Sequence, residues 1–245
     1  MTGVTMEQRV YLEPAFILHK QAFRNSSLLI DFFCLGYGRV RAVARGARGG
    51  KSRYRALLQA FQPLLVSFSG KGDVKTVVTV ESNSIESDLT GERLLSGLYL
   101  NELITRILIT NVEHRTLFQH YQEALDGLRS EADLAKVLRR FELGMLEELG
   151  YGINLEHDCS SHELIKADCY YLFTPDLGFE SVSNEAAAAR TSNNVYLGQH
   201  ILELKALTNS SKESRNAAKL ILRTALHNHL GNKPIHSREL FQHKH

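Results

Sequence analysis

The chain has 245 residues, 43% hydrophobic and 23% charged, with no tryptophan and a formal net charge of +2. That is enough chain to bury a real core, in one large domain or two small ones. No apolar run approaches the roughly 20 residues needed to span a bilayer. The start, MTGVTMEQRVYLEP, lacks a signal-peptide pattern. Cys34, Cys159 and Cys169 are too few for a disulfide framework. A soluble, cytoplasmic protein is expected.

The small net charge hides an asymmetry. Residues 1–85 carry twelve Lys/Arg against five Asp/Glu, so the remainder is acidic. Between Asp31 and Asp73 there are eight basic side chains and no acidic one. Opposite signs in the two parts suggest two domains with different partners.

In chain order, the first third reads as strands. Pro14–Lys20, Ser27–Cys34, Gly38–Arg45, Pro63–Gly70 and Asp73–Ser82 are short and rich in Val, Ile and Phe. Turn residues separate them at Asn25-Ser26, at Gly36-Tyr37-Gly38 and at Gly70–Asp73. Five such strands fit a small antiparallel barrel or sandwich, and an interruption after the third, with a helical turn or two in Tyr54–Phe61, is the OB-fold pattern.

After about Ile85 the period becomes helical. Arg93–Ile109 sets Leu94, Leu98, Ile104 and Leu108 near one face, joined by Leu95 and Ile107. Thr116–Arg129 and Asp133–Gly150 are amphipathic, the latter with an Asp suited to capping and a Gly suited to the left-handed position. Tyr170–Ser183 reads as a hairpin turning at Pro175–Gly178. Glu185–Arg190 suits a helical turn or a linker. Helices are expected again at Val195–Leu207 and Glu213–Gly231, with Pro234 beyond the second. The expected fold is therefore α+β: an OB barrel over residues 1–84, then a mostly helical domain with a small hairpin over 85–245.

The segment VARGARGGKSRYR (Val43–Arg55) raises two competing chemistries. A phosphate-binding P-loop needs Gly, four residues, then Gly-Lys-Ser/Thr. Counted back from Gly50-Lys51-Ser52, the required glycine falls on Arg45, and no βαβ unit surrounds the segment. A nucleotide hydrolase using Lys51 and Ser52 is thus the weaker reading. Alternation along a strand instead projects Arg39, Arg41 and Arg45 together, with Val40, Ala42 and Ala44 facing inward. Arg48, Lys51, Arg53 and Arg55 continue the charge, giving seven cations within residues 39–55. With Tyr37 and Tyr54 nearby to stack on bases, this is the footprint of a groove for a nucleic-acid backbone. The alternative is a solvated basic face, and the lack of local carboxylates speaks against a salt-bridged one.

Other constellations are weaker. His157, Cys159, His162 and Cys169 are metal-ligand types, but the spacing is irregular for zinc and ordinary surface and core roles are favoured. No nucleophile elbow, His-Glu-x-x-His or carboxylate–histidine cluster argues for an enzyme. Glu142, Glu147 and Glu148 read as a solvated helix face. Arg139-Arg140, beside Phe141, Leu146 and Leu149, place cations next to an apolar stripe that suits an acidic, hydrophobic peptide end, although on chemistry alone an ordinary helix pair with exposed arginines is the favoured account.

Taken together and in order, FILHKQAFRNSSLLIDFFCLGYGRVRAVARGAR, LLQAFQPLLVSFSGKGDVKTV, LLSGLYLNELITRIL, LRRFELGMLEELGYGINL and LGNKPIHSRELF resemble the RecO family of bacterial recombination mediators, from about Phe16 to Phe241. The resemblance implies an N-terminal OB-fold followed by a helical domain, with no enzymatic activity and no cofactor. It implies binding of single- and double-stranded DNA, strand annealing within the RecFOR pathway, and partnership with RecR. Contact with the acidic tail of single-stranded DNA-binding protein, help in loading RecA, and a nucleoid-associated location are implied as well. Carried over by position, Arg39, Arg41, Arg45 and Arg48 match the family's DNA-binding region, and Arg139 with Leu149 match the site for that tail. Some members hold zinc through two Cys-x2-Cys pairs; here only Cys159 and Cys169 lie in that neighbourhood, which implies a metal-free branch. An RNA-associated OB protein is the rival reading of the same basic face.

Overall fold

The computed structural model describes residues 8–49, 52, 54–82, 84, 86–130, 133–185, 194–208, 210–230 and 235–237. The fold is α+β, with a closed five-stranded barrel first and helices with a small sheet after it. The barrel strands end at residue 81, near the sequence boundary of 84/85, whereas the compact units divide between Arg129 and Ser130, with Ile235–Ser237 returning to the first.

The barrel comprises β1 (Gln8–Phe23), β2 (Ser27–Cys34), β3 (Gly38–Ala44), β4 (Leu64–Gly70) and β5 (Val74–Glu81), with the short helix α1 (Tyr54–Leu57) between β3 and β4. The ring order is β1-β2-β3-β5-β4, as in an OB-fold. One pairing departs from the antiparallel expectation: β3 and β5 run parallel, Arg41 opposite Val74 and Val43 opposite Thr76. The crossover through α1 and β4 brings β5 back alongside β3 in the same direction. At 16 residues β1 is long enough to pair with β4 through its first half and β2 through its second, closing the ring.

Inward alternation builds the barrel core from Ile17, Ile30, Phe32, Val40, Ala42, Val66 and Phe68 among others. Val40, Ala42 and Ala44 are buried, as the alternation along β3 requires. In β2 the alternation is hidden, because its outer face is buried too. Phe16 and Phe33 point outward onto Phe118 and Tyr121, with ring centroids 5.3–5.8 Å apart. Those two aromatics lie on α3 (Arg115–Arg129), which with α2 (Gly91–Ile107) belongs to the barrel unit.

Helix α2 bears out the periodicity reading at Ile104 and Leu108, which are buried, and corrects it at its start. Leu94 is exposed and Leu98 half-buried, while Ser96, Gly97, Leu100, Asn101, Leu103 and Ile104 are buried. A polar anchor decides the face: Asn101 Nδ2 donates to the carbonyls of Ile17 (3.2 Å) and Leu18 (3.0 Å), and Tyr121 donates its hydroxyl to Asn101 Oδ1. Gly97 permits the approach, since a Cβ there would meet the Phe61 ring at 2.9 Å.

The second unit holds α4 (Leu134–Glu148), β6 (Tyr170–Thr174), β7 (Gly178–Val182), β8 (Val195–Leu197), α5 (Gly198–Ala206) and α6 (Lys212–Leu230). Asp133 caps α4 by accepting from Ala135 N (2.8 Å) and Lys136 N (3.3 Å), and Gly150 takes the left-handed conformation after it, φ +80°. The expected helix from Val195 begins three residues later. Its β-branched and aromatic start, Val195-Tyr196-Leu197, pairs with β6 and widens the hairpin into a three-stranded sheet. Residues 186–190 of the Ala-rich run, and Gly231 and Pro234, lie outside the described residues.

Candidate nucleic-acid interface

The turn after β2 pairs Cys34 with Gly38 and thereby sets Asp31 directly opposite Arg41. Asp31 is buried, with its side chain 6% exposed. Its carboxylate accepts two parallel hydrogen bonds from Arg41, Nε to Oδ1 at 2.8 Å and Nη2 to Oδ2 at 3.0 Å. This bond, more than the desolvation that opposes it, pushes the Arg41 guanidinium pKa upward. Arg39 Nη2 lies 3.7 Å from the same carboxylate. Local carboxylate partners therefore do exist; the ten residues separating Asp31 from Arg41 in sequence vanish in the hairpin.

Arg39 is drawn further into the fold. Its side chain is 14% exposed, and Nη1 donates to the carbonyls of Thr105 (2.5 Å) and Leu108 (3.4 Å) at the C-terminal end of α2. A cation is favoured there, where the last helix carbonyls lack intrahelical partners. Arg39 O in turn accepts from Asn111 N at 2.8 Å. Gly38, at φ +60°, lets this segment press close: a Cβ there would sit 1.7 Å from Val112 O. Arg39 is thus a strut between β3 and α2 rather than a free phosphate ligand.

Beyond β3 the picture changes. Arg45 and Arg48 are exposed, the latter with long contacts, 3.3 and 3.5 Å, to the carbonyls of Arg24 and Asn25. Arg48 N donates to Ser26 O (2.9 Å), so the loop after β3 lies against the β1–β2 turn. That turn adds Arg24, whose guanidinium sits 5.2 Å from the Phe23 ring centroid. Lys20 on β1 donates its ammonium to Leu58 O (2.7 Å) and Gln59 Oε1 (3.4 Å), and partial burial lowers its pKa. The sequence reading passed over Lys20 and Arg24 because they are isolated in sequence; the pairing of β1, β2 and β3, with the loop after β3 laid on the β1–β2 turn, brings them beside Arg48.

Neither tyrosine is loose. Tyr37 packs edge-on to Phe68, and Tyr54 packs against the barrel core with its hydroxyl donating to Val78 O at 3.3 Å. Lys51 and Arg53 lie outside the described residues. Arg55 is in α1, its side chain outside the description.

On α4, Arg139 Nη1 lies 2.8 Å from Glu142 Oε2, one turn on, with the two side chains 11% and 1% exposed. Glu142 is therefore a buried partner, which corrects the solvated-face reading; Phe141, Met145 and Leu146 are buried around it. Arg140 is exposed, and Leu149 is half-buried as the C-cap residue of α4.

Among the described residues no three His, Cys, Asp or Glu side chains converge on a metal-sized site. The segment holding His157, Cys159 and His162 is instead organised by Asp158. Burial acts to raise the Asp158 pKa, but N–H groups of Ser161, Ser160 and Ser181 donate to its carboxylate at 2.7–2.9 Å and hold it down to about 2. These bonds pin the 158–161 turn to β7. The Asp-x-Ser-Ser pattern was a legible turn signal that the metal question obscured.

With this geometry in place, comparison with known proteins is decisive. The model of the recombination protein O N-terminal region matches residues 6–85, and that of its C-terminal region matches residues 89–239. The chain belongs to the recombination protein O (RecO) family. The DNA repair protein RecO of Coxiella burnetii (strain RSA 331) is 41% identical over 235 residues, covering 96% of this chain and 99% of that protein. RecO of Pseudoalteromonas atlantica is 41% identical over 230 residues, 94% of this chain and 93% of its own length. RecO of Vibrio cholerae (strain O395) is 38% identical over 231 residues, again 94% and 93%. Two RecO regions meeting near residue 85 coincide with the change from strands to helices. No described helix is long and apolar enough to cross a membrane.

Proposed function

We propose that this RecO-family chain is a non-enzymatic mediator of recombinational DNA repair that binds single- and double-stranded DNA through its barrel and promotes annealing of complementary strands. The observation that carries the reading is the cationic end of the barrel: Arg45 and Arg48, exposed in the acid-free stretch between Asp31 and Asp73, lie beside Lys20 and Arg24. Cations spaced over neighbouring turns neutralise successive phosphates, and the release of condensed counterions drives binding. Arg41, half-exposed above Asp31, adds a flanking contact. Arg39 contributes through the fold.

The helical unit recruits partners: the acidic tail of single-stranded DNA-binding protein at Arg139 and Leu149, with RecR and, indirectly, RecA in the assembly. Docking at Arg139 requires the incoming carboxylate to share or displace the contact with Glu142, so Arg139 supplies selectivity at some expense of affinity.

The test is annealing of complementary oligonucleotides, bare and coated with single-stranded DNA-binding protein. Wild type accelerates both. Charge reversal at Arg45 and Arg48 abolishes both accelerations, whereas Arg139→Ala abolishes only that on coated strands. Undiminished annealing by the Arg45/Arg48 variant would refute the barrel assignment, and undiminished annealing of coated strands by Arg139→Ala the tail assignment.

A further inference from the structure

The barrel end carries more than charge. A cleft of about 480 Å³ opens between the end of β1, the loop after β3 and α1. That volume lies within the roughly 300–1,000 Å³ range of small-ligand sites. Its floor is apolar: Ala47 and Leu58 are buried and Leu28 half-buried, all packed on the barrel core. The half-buried Tyr54 forms a wall, its hydroxyl tied to Val78 O. The rim is polar and exposed, with Lys20 and Arg48 as cations and Gln21 and Gln59 as neutral amides. Among the described residues no carboxylate lines it.

We infer that this cleft is a subsite for one unstacked nucleotide of a single DNA strand, its base against Tyr54 above the Leu28–Leu58 floor and its phosphate at the Lys20–Arg48 rim. The chemistry matches part by part. A base offers flat apolar faces to an aromatic wall and an apolar floor, and a hydrogen-bonding edge that side-chain amides satisfy. The phosphodiester needs cations without competing acids. Lys20 spends at most two of its three N–H groups on Leu58 O and Gln59 Oε1, leaving a donor for the ligand. Tyr54 and Lys20 are already held by protein contacts, so little side-chain freedom is lost on binding. The cleft lies at the barrel end, beside the loop that carries Arg45, so a strand drawn along Arg45 and Arg48 passes over it. For annealing, a strand held with a base extruded is kept from stacking on itself.

This inference rests on the DNA-binding reading above, and the test separates the two. Binding of the full-length protein is measured for an oligothymidylate and for an abasic phosphodeoxyribose oligomer of equal length, each over a range of salt. The expected result is similar salt slopes, with the thymine-bearing strand bound at least about fivefold more tightly, as one stacked base provides. Ala22→Phe, at an exposed lining position, fills the cleft and brings the thymine strand down to the abasic affinity. An oligomer carrying 5-iodouracil cross-links to Tyr54 on irradiation. Equal binding of both oligomers by wild type, or a base preference that survives Ala22→Phe, overturns the subsite while leaving DNA binding intact. Saturable ATP binding lost in Ala22→Phe overturns it in favour of a mononucleotide site. Failure of wild type to bind either oligomer overturns the DNA-binding reading itself.

Discussion

The two ends of one basic strand do different work. At its start, Arg39 and Arg41 share the buried carboxylate of Asp31, and Arg39 also reaches the end of α2. Past its end, Arg45 and Arg48 face solvent. All four share the charge and the sequence neighbourhood, so composition treats them alike. What separates them is the hairpin register and the helix laid over the first half of the strand. Helix α4 repeats the contrast within two residues, Arg139 paired with buried Glu142 and Arg140 exposed. A run of arginines is thus a mixture of struts and contacts, and burial of the partner tells them apart.

Several experiments would break or sharpen this contrast. The largest effect is expected from Asp31→Ala, which leaves two guanidinium groups without their shared buried carboxylate. It should cost about 3 kcal/mol of stability, seen as a lower urea midpoint. An unchanged midpoint would place Arg39 and Arg41 with the free cations. Arg39→Ala should cost about 2 kcal/mol through the lost ion pair with Asp31 and the lost hydrogen bonds to the carbonyls at the end of α2, while the salt dependence of DNA binding stays at its wild-type slope. A reduced slope would return Arg39 to the DNA interface.

Asp158 supplies a carboxylate held by backbone donors instead of an arginine. Its folded pKa is depressed to about 2, so its stabilising contribution is complete above the ordinary aspartate value near pH 4 and is lost as the pH falls through about 2. Asp158→Asn should cost about 1 kcal/mol at neutral pH and flatten the acid limb of the stability curve. Parallel acid limbs for the two proteins would refute that role.

The smallest stability effect is expected at the open end. Replacing Arg45 and Arg48 together by alanine should shift stability by less than about 0.5 kcal/mol. The same change should reduce the salt slope of single-strand binding by about 1.4, since each neutralised phosphate contributes about 0.7. A full slope with both arginines removed would break the comparison.

The strands of the barrel were legible because alternation in β3 and turn residues at Asn25-Ser26 and Gly70–Asp73 are local signals. The helix ends at Asp133 and Gly150 were legible for the same reason: capping is settled within a few residues. The buried face of α2 was not, because Asn101 and Gly97 look like breaks in an apolar stripe until β1 supplies two carbonyls and Phe61 a ring. Nor was the strand Val195–Leu197, too short to be distinguished from the helix it precedes without β6 beside it.

By itself, then, the sequence determined the order and type of the main elements, the basic character of the first part of the chain and its resemblance to RecO. The elements and the charge follow from short-range periodicity, capping and composition, and the resemblance from the joint occurrence of particular segments in order. Only the tertiary structure decided which cations are available. That question turns on partners ten or more residues away: Asp31 opposite Arg41 across a hairpin, the α2 carbonyls 66 and 69 residues beyond Arg39, and Lys20 brought beside Arg48 by the pairing of β1 with β2 and β2 with β3. Electrostatic roles depend on distance and burial in space, and a chain position encodes neither until the ring is closed.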